Sequence, residues 1–245
     1  MVKQIPNIIT SLNLLFGCVA ILLALSGDLI AASFFVFAGI IFDFFDGLAA
    51  RWLNAQSELG LQLDSLADVV TSGVAPAMVM LQMINVSVTG NPMNITEAIA
   101  IGGWNDVVFS YMPLIGLLIA VAAAYRLAKF NVDTRQSESF IGLPTPANTI
   151  FILSFPLILH FQHTEFIESI ILNTWFLVAV TVFSCFIMNA EVRLFALKFK
   201  TWDYKSNKIR YVFLALCLVA IILLKFIALP VAILLYFVLS LFSKD

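Results

Sequence analysis

The sequence predicts an all-α fold: a polytopic membrane helix bundle of about eight transmembrane helices, both termini cytoplasmic, forming one integral-membrane domain over residues 1–245. Three observations carry this reading. The chain is 62% hydrophobic and only 11% charged, which excludes an ordinary soluble domain. Apolar runs recur at lengths near the roughly 20 residues that a helix needs to cross the hydrocarbon core. With the N-terminus placed in the cytoplasm, every Lys and Arg except Lys225 faces inward, as the positive-inside rule requires, and this implies an even number of spans.

The expected spans are 6–25, 30–53, 61–84, 106–130, 146–162, 169–190, 208–226 and 229–243, the last being short. The first has Lys3 before it and Ala24-Leu25-Ser26 at its end, as a secretory leader would. Its apolar stretch is long, however, and Asn7, Thr10 and Asn13 form a polar stripe along one side of the helix. A removed segment has no need of such a stripe, so the span is expected to be retained. The connections after residues 25 and 226 are tight, which makes antiparallel hairpins. Residues 85–105, with Gly90, Pro92, Gly102 and Gly103, form the longest outer loop. The fourth span closes on Arg126-Leu-Ala-Lys129-Phe-Asn131, and Gly142-Leu-Pro144-Thr145-Pro146 precedes the fifth. The last inner loop, 191–207, mixes Arg193, Lys198, Lys200 and Lys205 with Trp202 and Tyr204, a composition that suits a headgroup interface or simply marks topology. Cys18, Cys185 and Cys217 lie unpaired in apolar spans and read as small buried hydrophobes, neither disulfides nor metal ligands. His160 and His163 read as interfacial polar residues.

The organising stretch is DFFDGLAARWLNAQSELGLQLDSLAD, residues 43–68. Asp43 and Asp46 are spaced i, i+3, and Asp64 and Asp68 are spaced i, i+4, so each pair projects from one face of its own helix. Ionisable side chains in membrane segments mark function by default. Four carboxylates together in a low-dielectric site require a neutralising cation. With no Cys or His among them, hard oxygen ligands select Mg²⁺, Mn²⁺ or Ca²⁺ over zinc or copper. Gly47, Ala50 and Gly60 either admit a ligand close to the backbone or let helices pack tightly. Arg51 contacts phosphate, pairs with Glu58 or marks topology. From the residues alone, the reading is a metal-dependent enzyme that handles a phosphorylated lipid at the cytoplasmic face.

The fixed positions Asp43, Asp46, Gly47, Ala50, Arg51, Gly60, Asp64 and Asp68 resemble the signature of the CDP-alcohol phosphatidyltransferases. The resemblance implies transfer of a phosphatidyl group from a CDP-linked lipid to an alcohol, with release of CMP. It implies that Asp43, Asp46 and Asp64 hold the metal, Mg²⁺ or Mn²⁺ with Ca²⁺ as a non-productive occupant. Asp68 would be the general base, itself close enough to count among the metal-facing carboxylates. Asn7, Thr10, Asn13, Asp43, Gly47, Ala50, Arg51 and Gly60 become candidates for binding the CDP-lipid. The catalytic part would occupy 1–150, and 151–245 would add transmembrane helices. A homodimer in the cytoplasmic membrane is implied, and no nucleic-acid partner is expected.

Three further stretches, Ile5 to Asn13, Arg126 to Asn131 and Gly142 to Pro146, resemble bacterial and archaeal phosphatidylserine synthases. They imply CDP-diacylglycerol and L-serine as substrates, with Arg126, Lys129, Asn131 and Thr145 as candidates for binding serine. An Arg fork suits serine's carboxylate. Lys129 stands where that family commonly has Arg, and the bidentate fork is lost there. Glycerol phosphate or an inositol phosphate as acceptor would call for a denser basic pocket than Arg51, Arg126, Lys129 and Arg135 provide. A cation transporter would place its acids near mid-membrane, whereas here they lie at one end of the spans.

Overall fold

The computed structural model describes residues 4–93, 111–133, 140–195, 203 and 207–241. Arg135, Lys198, Lys200 and Lys205 and the expected outer loop beyond residue 93 lie outside the described residues.

Among the described residues the fold is helical apart from one two-residue strand pair. Helix α1, Ile5–Leu25, starts with a proline in its first turn, where the missing N–H costs nothing. It buries Thr10, Asn13, Gly17, Ala20 and Ala24. These small residues recur at three- and four-residue intervals, so the partner helix can approach closely. The chain turns at Gly27, φ +86°, and Asp28 caps the next helix by accepting from Ala31 N–H. That helix, α2, Leu29–Trp52, packs along α1 as the expected antiparallel hairpin.

The turn after Trp52 passes through Asn54 at φ +47°. Ser57 then caps α3, Glu58–Asp68, by accepting from Gly60 N–H at 3.0 Å. The helix continues through a π-helical turn, Val69–Val74, into α4, Ala75–Thr89. This is the central rod of the molecule: every residue from Ala75 to Ala77 and from Val79 to Asn85 is buried, as expected of a helix that is apolar all round. The sequence reading ended this span at residue 84. It runs on to Thr89 because the helix stop is Gly90, φ +76°, in the left-handed conformation. Asn85 is thus a buried helical residue that donates to the Asn91 carbonyl, not a loop residue.

A 3₁₀ turn, Met112–Leu117, leads into α5, Leu118–Val132. Strand β1, Phe140–Ile141, pairs antiparallel with β2, Arg193–Leu194, clipping two loops together at the aspartate end of the bundle. Gly142, φ +75°, follows β1, and a side chain there would strike the Met188 carbonyl. Helix α6 is Thr145–Phe161. The sixth expected span is broken: α7, Glu165–Ile171, meets α8, Thr174–Asn189, at 56°. The cause is local, since the Asn173 side chain caps α8 by accepting from Trp175 and Phe176 N–H. His163 has an acidic neighbour that sequence reading did not pair with it, Glu168 at 2.8 Å.

The chain ends in α9, Lys208–Leu224, and α10, Ala228–Leu241. Phe213 and Tyr236 have ring centroids 5.7 Å apart, which requires the chain to double back between them. It does so at Lys225, φ +50°, so these two helices form a hairpin. By length and apolarity, five helical stretches among the described residues can cross a membrane, Ile5–Leu25, Leu29–Trp52, Glu58–Thr89, Met112–Val132 and Lys208–Leu241, and the bent pair makes six. All three cysteines are free. Cys18 corrects the sequence reading, because it is exposed on the outer face of α1. Its position on the surface that meets lipid explains why an apolar context failed to predict burial.

Candidate active site

Asp43 and Asp46 project from the last turns of α2, and Asp64 and Asp68 from α3. The turn 53–57 folds the two helices together, so both pairs meet at one end of the bundle. Asp43, Asp64 and Asp68 each offer an oxygen, and these oxygens lie within 4.8 Å of one another. At that separation two carboxylates repel by roughly 3 kcal/mol per pair at an effective dielectric near 20. Among the described residues, Asp64 Oδ1 is also buried without a hydrogen-bond partner. An all-oxygen donor set with an unpaired buried lone pair fits a hard divalent cation.

Asp46 stands apart from that trio. It is buried, and its Oδ2 accepts from the Thr10 hydroxyl at 2.5 Å. A cavity of about 550 Å³ opens beside it between α1, α2 and α3. Asp46, Asp64, Asn7, Thr10, Gly47, Ala50, Arg51 and Gly60 all line it. Two of the glycines differ in what they do. A Cβ on Gly47 would meet nothing within 4 Å, so this glycine leaves backbone open to the cavity. A Cβ on Gly60 would meet Asn7 Oδ1 and Ser57 Oγ at 3.2 Å, so it also serves packing of α3 on α1. Arg51 and Glu58 both face the cavity, and no ion pair joins them among the described residues. Leu61 of its lining is exposed, and so are Leu48, Trp52 and Leu59, neighbours in the chain of lining residues, Trp52 being 81% exposed.

Asn13 does not line this cavity. It is fully buried and turns its amide toward Asp68, donating from Nδ2 to Oδ1 at 3.4 Å. Beyond Asp68 lies Arg126 of α5, only 6% exposed. Its Nη1 donates to Thr145 Oγ1 at 3.4 Å, and its guanidinium sits 5.7 Å from the Phe130 ring centroid. Arg126 Nε is buried without a partner among the described residues. Asp68 and Tyr236 both lie within electrostatic range of the guanidinium. The structure therefore brings Arg126 and Thr145 together, and gives the other two acceptor candidates partners of their own. Lys129 forms an ion pair with Glu191 at 3.4 Å, and Asn131 donates to Ser65 Oγ at 2.8 Å.

A sequence profile of the CDP-alcohol phosphatidyltransferase domain matches residues 3–186. The chain belongs to the CDP-alcohol phosphatidyltransferase family. It is 37% identical over 159 residues to a CDP-diacylglycerol–serine O-phosphatidyltransferase of Bacillus subtilis, a match covering 62% of this chain and 76% of that protein. It is 32% identical over 151 residues to a protein of the same description from Helicobacter pylori, covering 60% of this chain and 55% of that one. An archaetidylserine synthase of Methanothermobacter thermautotrophicus is 32% identical over 153 residues, covering 62% and 57%. The match thus spans from about half to three quarters of the length of these relatives. Membership of this phosphatidyltransferase family, with several apolar helices, makes the chain an integral membrane protein.

The phosphatidyltransferase profile ends inside α8, before the terminal hairpin. Sequence reading found no role for that hairpin, yet it borders the site. Tyr236 of α10 is buried, donates to the Phe195 carbonyl at 2.9 Å and stacks edge-on against the Phe195 ring. Only the fold, which returns α10 to the aspartate end, could have revealed it.

Proposed function

We propose that this protein transfers the phosphatidyl group of CDP-diacylglycerol to the hydroxyl of L-serine, giving phosphatidylserine and CMP. The observation that carries the reading is the arrangement at one end of the bundle. A nucleotide-sized cavity with apolar flanks leads to a carboxylate trio, and a buried, incompletely partnered guanidinium stands behind it. The relatives named above are serine-using enzymes of this class, which supports the choice of acceptor.

Asp43 and Asp64, with Asp46 on the cavity wall, would hold a divalent cation, Mg²⁺ or Mn²⁺. Such an ion neutralises charge on the pyrophosphate and on departing CMP. The remaining work falls to the chain's own residues. The cavity receives the cytidine phosphate, with Gly47 leaving backbone open to it and Arg51 supplying positive charge. The flanking Leu48, Trp52, Leu59 and Leu61 keep the acyl chains in the bilayer. Arg126 and Thr145 receive the serine carboxylate. Asp68 takes the proton from the serine hydroxyl. As that proton leaves, serine oxygen forms a bond to the lipid phosphorus, the bond from phosphorus to CMP breaks, and CMP departs with the electron pair. The testing experiment is release of CMP from CDP-diacylglycerol by purified protein with serine, glycerol 3-phosphate or inositol phosphate. Serine-dependent release with phosphatidylserine as product is expected. Release that needs a phosphorylated acceptor would overturn the reading.

We further propose eight passes, with both termini and the site facing the cytoplasm across the cell membrane. Two features support this. Helices α1, α2, α3–α4, α5, α6, α7–α8, α9 and α10 alternate in direction relative to the aspartate end, and among the described residues Arg51, Arg126, Lys129, Arg193, Lys208 and Arg210 lie in the element ends on that side. A single cysteine, introduced as Asp133→Cys into a chain lacking the native three, should resist an impermeant thiol reagent in intact cells. Asn91→Cys should react. Labelling of the cysteine at position 133 from outside would reverse the orientation.

A further inference from the structure

The π-helical turn Val69–Val74 comes directly after Asp68. A π turn inserts one residue into a helix and so rotates the downstream segment by about 100° relative to an unbroken α-helix. The face that packs α4 into the core is thereby set independently of the face that carries Asp64 and Asp68. The turn is anchored by Thr71, which is fully buried. Its side chain sits between two glycines of different helices. A Cβ on Gly17 of α1 would collide with the Thr71 hydroxyl. A Cβ on Gly39 of α2 would lie 2.7 Å from Thr71 Cγ2 and 3.0 Å from Asn13 Oδ1. The two glycines thus make room for one threonine and for the asparagine beside it.

The polar connections run in a line. The Thr71 hydroxyl donates to the Asn13 carbonyl at 3.0 Å. The Asn13 side chain donates to Asp68 at 3.4 Å. On the far side of the turn, the Ser72 carbonyl accepts from the Thr149 hydroxyl at 2.8 Å, tying the turn to α6. We propose that Thr71 is a positioning residue for Asp68. Its hydroxyl fixes the height of α1 at Asn13 against the π turn, and Asn13 then holds the Asp68 carboxylate in line with the acceptor hydroxyl. Thr71 touches no substrate and acts only through Asn13. This inference rests on Asp68 being the base.

The test uses the full-length protein in lipid nanodiscs. Thr71→Val keeps the branched shape between the glycines and removes the hydroxyl. It is expected to lower kcat about tenfold, less than the roughly 10²-fold that a 1 Å misplacement can cost. The KM values for CDP-diacylglycerol and serine should stay within about twofold. Binding of Mn²⁺, read by electron paramagnetic resonance in the absence of substrate, should not change. Thr71→Ser, which retains the hydroxyl, should recover most of kcat. Asn13→Ala should lower kcat at least as much, again without loss of Mn²⁺ affinity, and the double variant should be no worse than Asn13→Ala alone.

Wild-type kcat in Asn13→Ala would overturn the inference even if Thr71→Val did not fold. So would additive losses in the double variant, or a Thr71→Ser variant as slow as Thr71→Val. An active Asp68→Asn protein would instead defeat the base assignment on which the inference stands. An inactive Asp68→Asn beside normal Thr71→Val and Asn13→Ala would defeat this inference alone.

Discussion

Asp68→Asn is expected to lower kcat by roughly 10²–10⁴-fold, the usual cost of losing a general base, with no recovery at any Mg²⁺ or Mn²⁺ concentration. Asparagine keeps the size of the side chain and its contact with Asn13, but it cannot take the serine proton. CDP-diacylglycerol binding should survive, because the cavity is built by α1, α2 and the N-terminal half of α3. Asp43→Asn and Asp64→Asn should behave differently. Each removes a charge from the carboxylate trio, weakens the cation, and should regain part of its activity as Mg²⁺ or Mn²⁺ is raised. Asp46 gives the comparison further resolution, since its carboxylate is already engaged by Thr10. Measuring kcat against metal concentration for all four variants separates these roles. Rescue of Asp68→Asn by metal as readily as Asp43→Asn would make all four aspartates ligands and leave the base unassigned.

The aspartates and the small residues between them were legible because their chemistry is unusual for their surroundings. A carboxylate in an apolar run stands out without any knowledge of the fold, and a spacing of three or four residues fixes its face. Helix stops were not legible in the same way: the expected third span ends at 84, short of the stop at Gly90, and the expected span 169–190 runs through the break that Asn173 caps. The helix run-on to Thr89 was missed because a polar composition around Ser87 and Thr89 looks like a loop. In the structure those hydroxyls bond back to the carbonyls of Ile84 and Asn85, satisfying themselves inside the helix.

Other features had no one-dimensional signal. The π turn at 69–74 reads as ordinary membrane helix, and the fit of Thr71 between Gly17 and Gly39 exists only once two other helices are in place. The separation of Asp46 from the other three aspartates depends on Thr10, which lies 36 residues earlier in the chain. Lys129 is a candidate from its place in the motif, and its pairing with Glu191, which lies just before β2, had no signal in the sequence. An exposed pair of that kind contributes little to stability, about 0–1 kcal/mol, but it occupies the ammonium. Arg126 and Thr145 were legible as candidates, while the nearness of Tyr236, 110 residues further along the chain than Arg126, was not.

Arg126→Ala should raise the KM for serine about ten- to a hundredfold while leaving the KM for CDP-diacylglycerol within about twofold. The magnitude comes from loss of a charge-assisted hydrogen bond, roughly 1.5–3 kcal/mol. The selectivity comes from position, because Arg126 belongs to α5 and lies outside the group of residues that lines the cavity. Its existing contacts are weak for so buried a charge: a 3.4 Å hydrogen bond to Thr145, an aromatic face and an unpartnered Nε. A guanidinium held so loosely retains capacity for an incoming carboxylate, which can engage two of its N–H groups at once. Arg126→Lys should fall between wild type and Arg126→Ala, since it restores charge without the planar fork. Thr145→Val should raise the serine KM by a smaller factor, because Thr145 orients Arg126 and offers only a neutral hydroxyl. Initial rates across a matrix of both substrate concentrations read all of these effects. Equal increases in both KM values for Arg126→Ala would place this residue with the nucleotide or the fold and remove it from the acceptor pocket.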